Sequence, residues 1–364
     1  MKNLFNLLKL NWKSGLTVSL VSLPLSLALA IASGASPTQG IITALWAGLI
    51  GAIFGGSNFN VTGPTGALSG ILIGYTIANG YWSLPIIAIL AGIFIVIGYF
   101  FRIDKYIIFI PKSVVYGFTL GVAFIIGLNQ IDNFLGLTIP KTERLIEKII
   151  FALAHIGEAN LSIFLIFILG VAFIFFWNKK MQKVPGAVIL AAAGIIFSIL
   201  MYNSNIGFNL ETIGQRYSNI DAKIFINFWG EFSWSMLYDK QLWILSLATA
   251  IIAILETLMS GQIADSITKT KFNRKKEVLG VGLANIGSGI FGGIPATAAL
   301  ARTALNIKSG ATHKTSAIIG SFSLFVISFL LLPYFRWLPM VFIASILVFV
   351  AMSMVEKKHF IHLL

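Results

Sequence analysis

The chain has 364 residues, of which 57% are hydrophobic and only 11% are charged, and its mean hydropathy is +0.90. A soluble domain carries about 25% charged residues, so this composition excludes an ordinary globular enzyme and a disordered protein. The 26 basic residues outnumber 13 acidic ones, yet so apolar a chain is not a nucleic-acid binder. The sequence therefore predicts an all-α polytopic membrane protein.

Apolar stretches long enough to span a bilayer, which takes about 20 residues in a helix, recur about twelve times along the chain. The third and tenth stretches contain few bulky residues and are rich in glycine, proline and threonine. The predicted spans are 14–33, 37–56, 61–79, 82–101, 112–131, 160–178, 184–203, 242–264, 278–291, 296–311, 315–334 and 337–355.

The basic residues indicate how the chain is oriented in the membrane. With the N-terminus inside, most lysines and arginines fall on the cytoplasmic side, among them Lys9, Lys13 and the run 274–276. We therefore expect a multi-pass protein of a bacterial-type inner membrane with a cytoplasmic N-terminus. The first span also resembles a cleaved signal peptide, but Pro24 interrupts its apolar run and eleven further spans follow.

Two hydrophilic segments, 132–159 and 204–241, fall on the outer side of the predicted membrane. Within the first, residues 142–157 have apolar side chains at helical spacing and charges on the opposite face. This pattern predicts an amphipathic helix that covers the outer interface rather than one that binds a ligand. Segment 204–241 has no clear period, and we assign it no function.

Two charged residues, Glu256 and Arg302, lie well inside the predicted spans. A charge at mid-bilayer costs roughly 2.5–3.5 kcal/mol on insertion scales, so such a residue faces the bundle interior or a water-filled cavity. One interpretation is a structural ion pair. We favour an anion-attracting Arg302 beside a titratable Glu256, because an isolated ion pair stabilises packing poorly. Ser260 is one turn after Glu256 on the same helical face, and two interpretations of it are open. In one, its hydroxyl bonds a carboxyl group or an ion; in the other, it bonds its own backbone.

Spans three and ten each contain a proline near their start, within Val61-Thr-Gly-Pro-Thr65 and Ile294-Pro-Ala-Thr297. Proline suits the first turn of a helix and stops the helix from extending backwards, so we expect extended backbone followed by a half-helix. The N-terminus of a half-helix presents free N–H groups and about half a positive charge, and two such ends form an anion site. Paired interrupted segments of this kind mark the binding site of a transporter.

The motifs along the chain resemble the SulP, or sulfate permease, family of inorganic anion transporters, essentially from end to end. The longest and most specific block is GGIPATAALART at 292–303. Shorter blocks are GLTVSLVSLP at 15–24, LALAIASGASP at 27–37, VTGPT at 61–65, IPKSVVYGF at 110–118, ETLMS at 256–260, AD at 264–265 and ANI at 284–286.

The resemblance implies two inverted repeats of seven helices, a 7+7 arrangement with a core domain and a gate domain. Residues 1–203 would be the first repeat, 204–241 an extracellular loop, and 242–364 an incomplete second repeat. The core would move past the gate like an elevator. Family members form homodimers and usually end in a cytoplasmic STAS domain. Because the chain stops at Leu364 without spans 13 and 14 or a STAS domain, we expect it to be part of a longer protein.

The resemblance also implies secondary active transport of a small inorganic anion, sulfate or bicarbonate, without a cofactor or metal. The family position matching Glu256 is commonly acidic and linked to proton coupling, which Ser260 favours here. The segments SGASP at 33–37 and VTGPTG at 61–66 resemble the sodium–bicarbonate branch. Alternatives left open are sodium-coupled symport, an uncoupled anion exchanger or channel, and a nucleobase transporter; a membrane-embedded enzyme is a remote one.

The predicted site combines the two half-helix starts with the two intramembrane charges. In this prediction the half-helix amides and the threonine hydroxyls hold the anion, Arg302 adds positive potential, and Glu256 carries the coupling ion. The predicted anion-binding residues are Thr65, Gly66, Ala296, Thr297, Ala298 and Arg302, and the predicted coupling-ion residues are Glu256 and Ser260.

Overall fold

The computed structural model describes residues 2–106, 112–140, 144–181, 185–203, 210–217, 221 and 223–354. Several predicted features lie partly outside this range. They are the start of the motif at 110–118, residues 142–143 of the amphipathic segment, parts of segment 204–241, and the chain after residue 354.

The described part of the chain contains fifteen α-helices and two short strands. The elements before the outer loop are α1 (Lys2–Ala32), α2 (Pro37–Phe54), β1 (Thr62–Gly63), α3 (Gly66–Asn79), α4 (Ser83–Phe100), α5 (Lys112–Leu128), α6 (Ile131–Leu135), α7 (Leu145–Ala154), α8 (Leu161–Lys180) and α9 (Gly186–Asn203). The later elements are α10 (Ile213–Arg216), α11 (Lys240–Thr268), α12 (Arg274–Ile290), β2 (Thr297–Ala298), α13 (Leu300–Lys308), α14 (Thr315–Phe335) and α15 (Met340–Met354). Short 3-10 turns lie at Ile103–Lys105, Ile156–Glu158 and Trp234–Tyr238.

A helix occupies each of the twelve predicted spans, although the helices differ in length. Six are long and apolar enough to cross a bilayer by themselves: α1, α2, α4, α8, α11 and α14. Four shorter apolar helices correspond to α3, α5, α9 and α15. The remaining two, α12 and α13, are more polar, and α13 has only nine residues.

The helices pack in two groups that meet along α3 and α1. In the first group, α12 lies against α4 and α2, α14 lies against α1 and α2, and α11 lies against α4 and α13. In the second group, α15 packs against α5 and α8, and α8 packs against α9. Contacts of α3 with α5, and of α1 with α9 and α15, join the two groups. The division into two inverted repeats and an outer loop remains a prediction.

Side-chain caps define where several of these helices begin. Pro37 is in the first turn of α2, and Ser36 and Gln39 form a reciprocal capping box that satisfies two end donors. Asn273 caps α12 by accepting from the amide of Lys276, and Asp239 caps α11 by accepting from that of Gln241. Such caps satisfy amides that have no partner within the helix, so they stabilise the starts of α2, α11 and α12.

A two-stranded antiparallel ribbon lies where the two interrupted spans meet. Thr62 pairs with Ala298 and Gly63 pairs with Thr297. Extended backbone before a half-helix is therefore confirmed for both segments. The start of the second half-helix is a correction, because α13 begins at Leu300 rather than near Thr297. Residues 297–298 remain extended because they pair with β1, which provides hydrogen-bond partners from across the ribbon.

Helix α7, the predicted amphipathic helix, and the described part of segment 204–241 each contact other parts of the fold. The Nζ atom of Lys148 on α7 lies 2.9 Å from Oδ1 of Asp132 in an ion pair.

The ring of Trp46 stacks on Phe291 with a centroid distance of 3.8 Å, and its Nε1 donates to the carbonyl of Ile224 at 2.7 Å. The described part of segment 204–241 thus lies against the backbone that leads into β2.

Candidate anion site

Glu256 lies where the two half-helix segments meet. Its Oε2 atom accepts a hydrogen bond from the hydroxyl of Thr65 at 3.0 Å and another from the hydroxyl of Thr297 at 3.1 Å. Thr65 precedes α3 and Thr297 lies on β2, so one carboxyl oxygen joins the two predicted anion-binding segments. Glu256 is half-buried, whereas Thr65 and Thr297 are buried. The three side chains therefore form one polar cluster that is partly open on the side of Glu256.

The start of α3 faces the second helix group. Thr65 occupies the N-cap position with extended backbone, and its side chain caps no backbone amide. A Cβ atom added to Gly66 would lie 2.7 Å from Cδ1 of Ile126 on α5 and 3.4 Å from Sδ of Met354 on α15. Glycine at this position therefore allows α5 and α15 to approach the half-helix closely. The candidate site lies at the boundary between the two helix groups.

Two of the predicted anion-binding amides already have protein acceptors. The N–H of Ala298 donates to Oγ1 of Thr257 at 3.1 Å, and the N–H of Ala296 donates to Oδ1 of Asn285 at 2.9 Å. This finding corrects the expectation that the Ala298 amide holds the anion. Both amides instead fix the backbone on either side of Thr297, and that backbone presents the Thr297 hydroxyl to Glu256.

Arg302 lies beside the ribbon, next to Gly63 of β1, and no ion pair among the described residues joins it to Glu256. Its side chain is 1% exposed, and its Nη2 donates to the hydroxyl of Ser26 on α1 at 3.2 Å. The Nε and Nη1 atoms have no hydrogen-bond acceptor among the described protein atoms. The structural ion pair considered from the sequence is therefore wrong, and Arg302 contributes a buried positive charge that no neighbouring carboxylate neutralises directly.

Gly63 on β1 allows the guanidinium group to pack against the ribbon. A Cβ atom at Gly63 would clash with Nη1 of Arg302, so a side chain at this position must displace the guanidinium.

We expect Gly63→Ala to lower the rate of anion uptake at least tenfold at subsaturating anion concentration. The measurement is uptake by the purified protein in liposomes. Gly121→Ala is the matched control, since no atom lies within 4 Å of a Cβ at that helical glycine, and wild-type uptake by Gly63→Ala would contradict the expectation.

Ser260 does not contact Glu256, although it is on the next turn of α11. Its hydroxyl lies 3.0 Å from Oδ1 of Asn60 and 2.9 Å from Oγ1 of Thr303. Thr303 in turn accepts from the amide of Val61 at 3.3 Å. Ser260 therefore bonds neither a carboxyl group nor its own backbone, and it connects α11 to α13 and to the strand that leads into the site.

Glu277, in the first turn of α12, is a residue of this region that the sequence analysis did not single out. Its Oε2 accepts from the amides of Gly56 and Ser57, both at 2.7 Å, and its Oε1 accepts from Nδ2 of Asn60 at 2.6 Å. The side chain is 4% exposed. Glu277 thereby holds the turn between α2 and β1. In the sequence, residues 57–60 have the composition of an ordinary loop. Only the structure shows that Glu277 accepts hydrogen bonds from this loop.

Comparisons with known proteins show which family this chain belongs to. The sequence profile described as the Sulfate permease family matches residues 8–364. The chain belongs to the sulfate permease family. Family relatives include YvdB of Bacillus subtilis (strain 168), a sulfate transporter by name, which is 34% identical over 355 residues covering 96% of this chain and 65% of YvdB. Another relative is the bicarbonate transporter BicA of Picosynechococcus sp., 28% identical over 328 residues covering 86% of this chain and 56% of BicA.

Solved structures of transporters share the fold of this sulfate permease family member. The transmembrane domain of a cyanobacterial bicarbonate transporter BicA superposes with a TM-score of 0.87 at 24% identity, covering 98% of this chain and 90% of that domain. SLC26A9 superposes with a TM-score of 0.86 at 14% identity, covering 98% of this chain and 59% of that protein. The predicted fold class is confirmed, and the chain is a multi-pass membrane protein of a transporter family rather than an enzyme. It spans less than two thirds of the length of YvdB and BicA.

Proposed function

We propose that this chain carries out secondary active transport of a small inorganic anion, sulfate or bicarbonate, coupled to protons at Glu256. The observation that carries the proposal is the pair of threonine hydroxyls that donate to one carboxyl oxygen of Glu256. In this proposal the protein lies in a bacterial-type inner membrane with its N-terminus in the cytoplasm and forms a homodimer. The names of YvdB and BicA support the two substrates.

The first step of the argument concerns the two hydroxyl donors. A threonine hydroxyl has one proton to donate, so Thr65 and Thr297 cannot bond a substrate anion while both bond Glu256. A protonated Glu256 is a weaker acceptor and repels an anion less than a carboxylate does. Protonation therefore frees both hydroxyls to turn towards the anion, which sits between Thr65–Gly66 and Thr297 in this proposal.

The second step follows from linkage between the proton and the anion. If protonation of Glu256 strengthens anion binding, anion binding strengthens proton binding by the same factor. The proton and the anion are then carried together, because the protein loaded with only one of them is less favourable than the protein loaded with both or with neither. A driving ion acts only through such a difference in affinity between states.

The third step concerns the place of the site between the two helix groups. Thr65 and Thr297 belong to the group formed by α1–α4 and α11–α14, whereas Ile126 and Met354 belong to α5 and α15 of the other group. Movement of the first group past the second would carry the bound anion along this boundary. This elevator movement is the part of the proposal that rests on the site's position rather than on its hydrogen bonds.

Uptake by purified protein in liposomes tests the proposal. We expect an inward proton gradient to accumulate labelled sulfate or bicarbonate above equilibrium without sodium, and the unlabelled anions, but not a nucleobase, to compete. If accumulation requires a sodium gradient, the coupling ion is sodium rather than a proton, and the proposed anion site is unchanged. Equilibration without accumulation under either gradient would instead identify an uncoupled exchanger or channel and would contradict the proposal.

A further inference from the structure

A basic surface lies at one end of the first helix group, where α4 ends and α12 begins. The Nζ atom of Lys275, in the first turn of α12, lies over the ring of Tyr99, 4.7 Å from the ring centroid. Helix α12 also contacts the 3-10 turn that follows α4. The turn after α4, the loop between α11 and α12, and the first turn of α12 are therefore neighbours. The basic residues of these three segments form the basic surface: Arg102, Lys105, Lys269, Lys271, Arg274, Lys275 and Lys276.

The described part of the fold does not neutralise the charge of the basic surface. The same three segments contain only three acidic residues, Asp104, Asp265 and Glu277. The carboxylate of Asp265 accepts from the Thr270 hydroxyl and from the amide of Phe272, both at 2.9 Å, so it orders the loop that contains two of the lysines. Glu277 is buried and accepts from the amides that follow α2. Among the described residues, none of the seven basic side chains forms an ion pair with a carboxylate.

The basic residues of the first turn of α12 do not stabilise that helix. Arg274, Lys275 and Lys276 occupy the turn, and all of them except the half-buried Lys275 are exposed. The start of a helix has a partial positive charge, so basic side chains are unfavourable there, whereas they stabilise the end of a helix. An anion outside the chain would remove this repulsion. The placement of these three residues therefore indicates a negatively charged partner rather than a role in folding.

Exposed aromatic residues border the basic surface. Phe100 and Phe101, which are 74% and 75% exposed, directly precede Arg102, and Tyr106, which is 63% exposed, directly follows Lys105. Aromatic side chains beside lysines and arginines are typical of segments at the interface between membrane and water. The rings lie among the acyl chains there, and the basic side chains reach the level of the phosphates. A lipid surface therefore matches both the charged and the apolar parts of this region.

We propose that the basic surface binds the phosphate headgroups of anionic phospholipids in the cytoplasmic leaflet. The inference rests on the orientation given under the proposed function, which puts the end of α4 and the start of α12 at that leaflet. Clusters of lysine and arginine next to a membrane attract anionic lipids, and the acyl chains of the same lipids cover Phe100 and Phe101. Because α4, α11 and α12 belong to the helix group that contains the candidate anion site, bound lipids hold this group at the membrane surface.

Native mass spectrometry of the purified full chain tests the proposal, with phosphatidylglycerol and phosphatidylcholine as the added lipids. We expect the wild type to prefer phosphatidylglycerol, and Arg274→Gln/Lys276→Gln to bind it at least fivefold more weakly. Both side chains are exposed, so the variant should fold. Lys179→Gln/Lys180→Gln is the matched control, because it also removes two exposed basic residues, from the end of α8 in the second helix group. An equal loss in both variants would show that only total charge matters and would overturn the proposal.

Two further measurements define the partner. Arg102→Gln/Lys105→Gln, on the turn after α4, should weaken phosphatidylglycerol binding as the first variant does. Unchanged binding in both variants would overturn the proposal and leave an acidic protein as the partner of this surface. Glycerol phosphate, which has no acyl chains, should compete poorly, and competition as strong as that of the lipid would instead identify a site for free phosphate. Lipid binding is measured without transport, so a failure of anion uptake in liposomes would contradict the proposed function and leave this surface unaffected.

Discussion

Glu256→Gln is expected to abolish accumulation of the anion driven by a proton gradient while leaving anion exchange. Glutamine is uncharged, like protonated Glu256, so it is a weaker acceptor than the carboxylate for the hydroxyls of Thr65 and Thr297, which lie 3.0 and 3.1 Å from Oε2 of Glu256. Both hydroxyls can therefore turn towards the anion. Glutamine cannot take up or release a proton, so the affinity for the anion no longer depends on protonation at this position.

The two transport modes are measured separately in the same liposomes. Net uptake under an inward proton gradient should fall at least tenfold in Glu256→Gln, whereas exchange of labelled for unlabelled anion at equal pH should continue. Glu158→Gln removes an exposed outer carboxyl group and serves as the matched control, with both modes unchanged. Undiminished proton-driven accumulation in Glu256→Gln would remove Glu256 from the coupling role.

Arg302→Gln is expected to weaken anion binding about thirtyfold, and Arg302→Lys to restore most of it. Arg302 is 1% exposed, so water screens its charge poorly. For an anion about 8 Å away, at an effective dielectric constant of about 20, a unit charge contributes about 2 kcal/mol, which is roughly thirtyfold in affinity. Loss of this positive potential should raise the apparent KM, whereas an effect confined to the maximal rate would indicate a different role.

The comparison uses initial rates over a range of anion concentrations. Arg336→Gln removes an exposed arginine at the end of α14 and is the matched control. Lysine keeps the charge but not the planar fork. Equal loss in the glutamine and lysine variants would therefore show that the shape of the guanidinium matters and its charge does not, against the expectation.

Prediction from the sequence was most successful where the deciding interactions are local. Apolar runs of sufficient length indicated twelve spans, and each contains a helix. Pro64 and Pro295 indicated that two spans start with extended backbone, and both do. Proline acts on its own residue and the preceding one, which is why the extended backbone before Pro64 could be predicted without knowledge of its partners. Residues 297–298 follow Pro295, and they are extended because they pair with β1.

Prediction failed where a donor or acceptor comes from a distant part of the chain. The Ala298 amide was expected to face an anion, but the Thr257 hydroxyl occupies it. Ser260 was considered as a partner of Glu256, yet it bonds Asn60 and Thr303 on other elements. A helical period indicates which residues share a face, but it does not indicate which groups of another helix lie opposite that face.

The sequence by itself determined that the protein is embedded in a membrane, that two of its spans are interrupted, and that one acidic and one basic residue lie inside. These features follow from composition, proline chemistry and the cost of burying charge. Only the tertiary structure decided that Glu256 joins the two interrupted segments and that Arg302 lies beside the ribbon, with no ion pair to a carboxylate of the described residues. The physical reason is that hydrogen bonds act over about 3 Å, so folding alone determines which distant residues come within that distance.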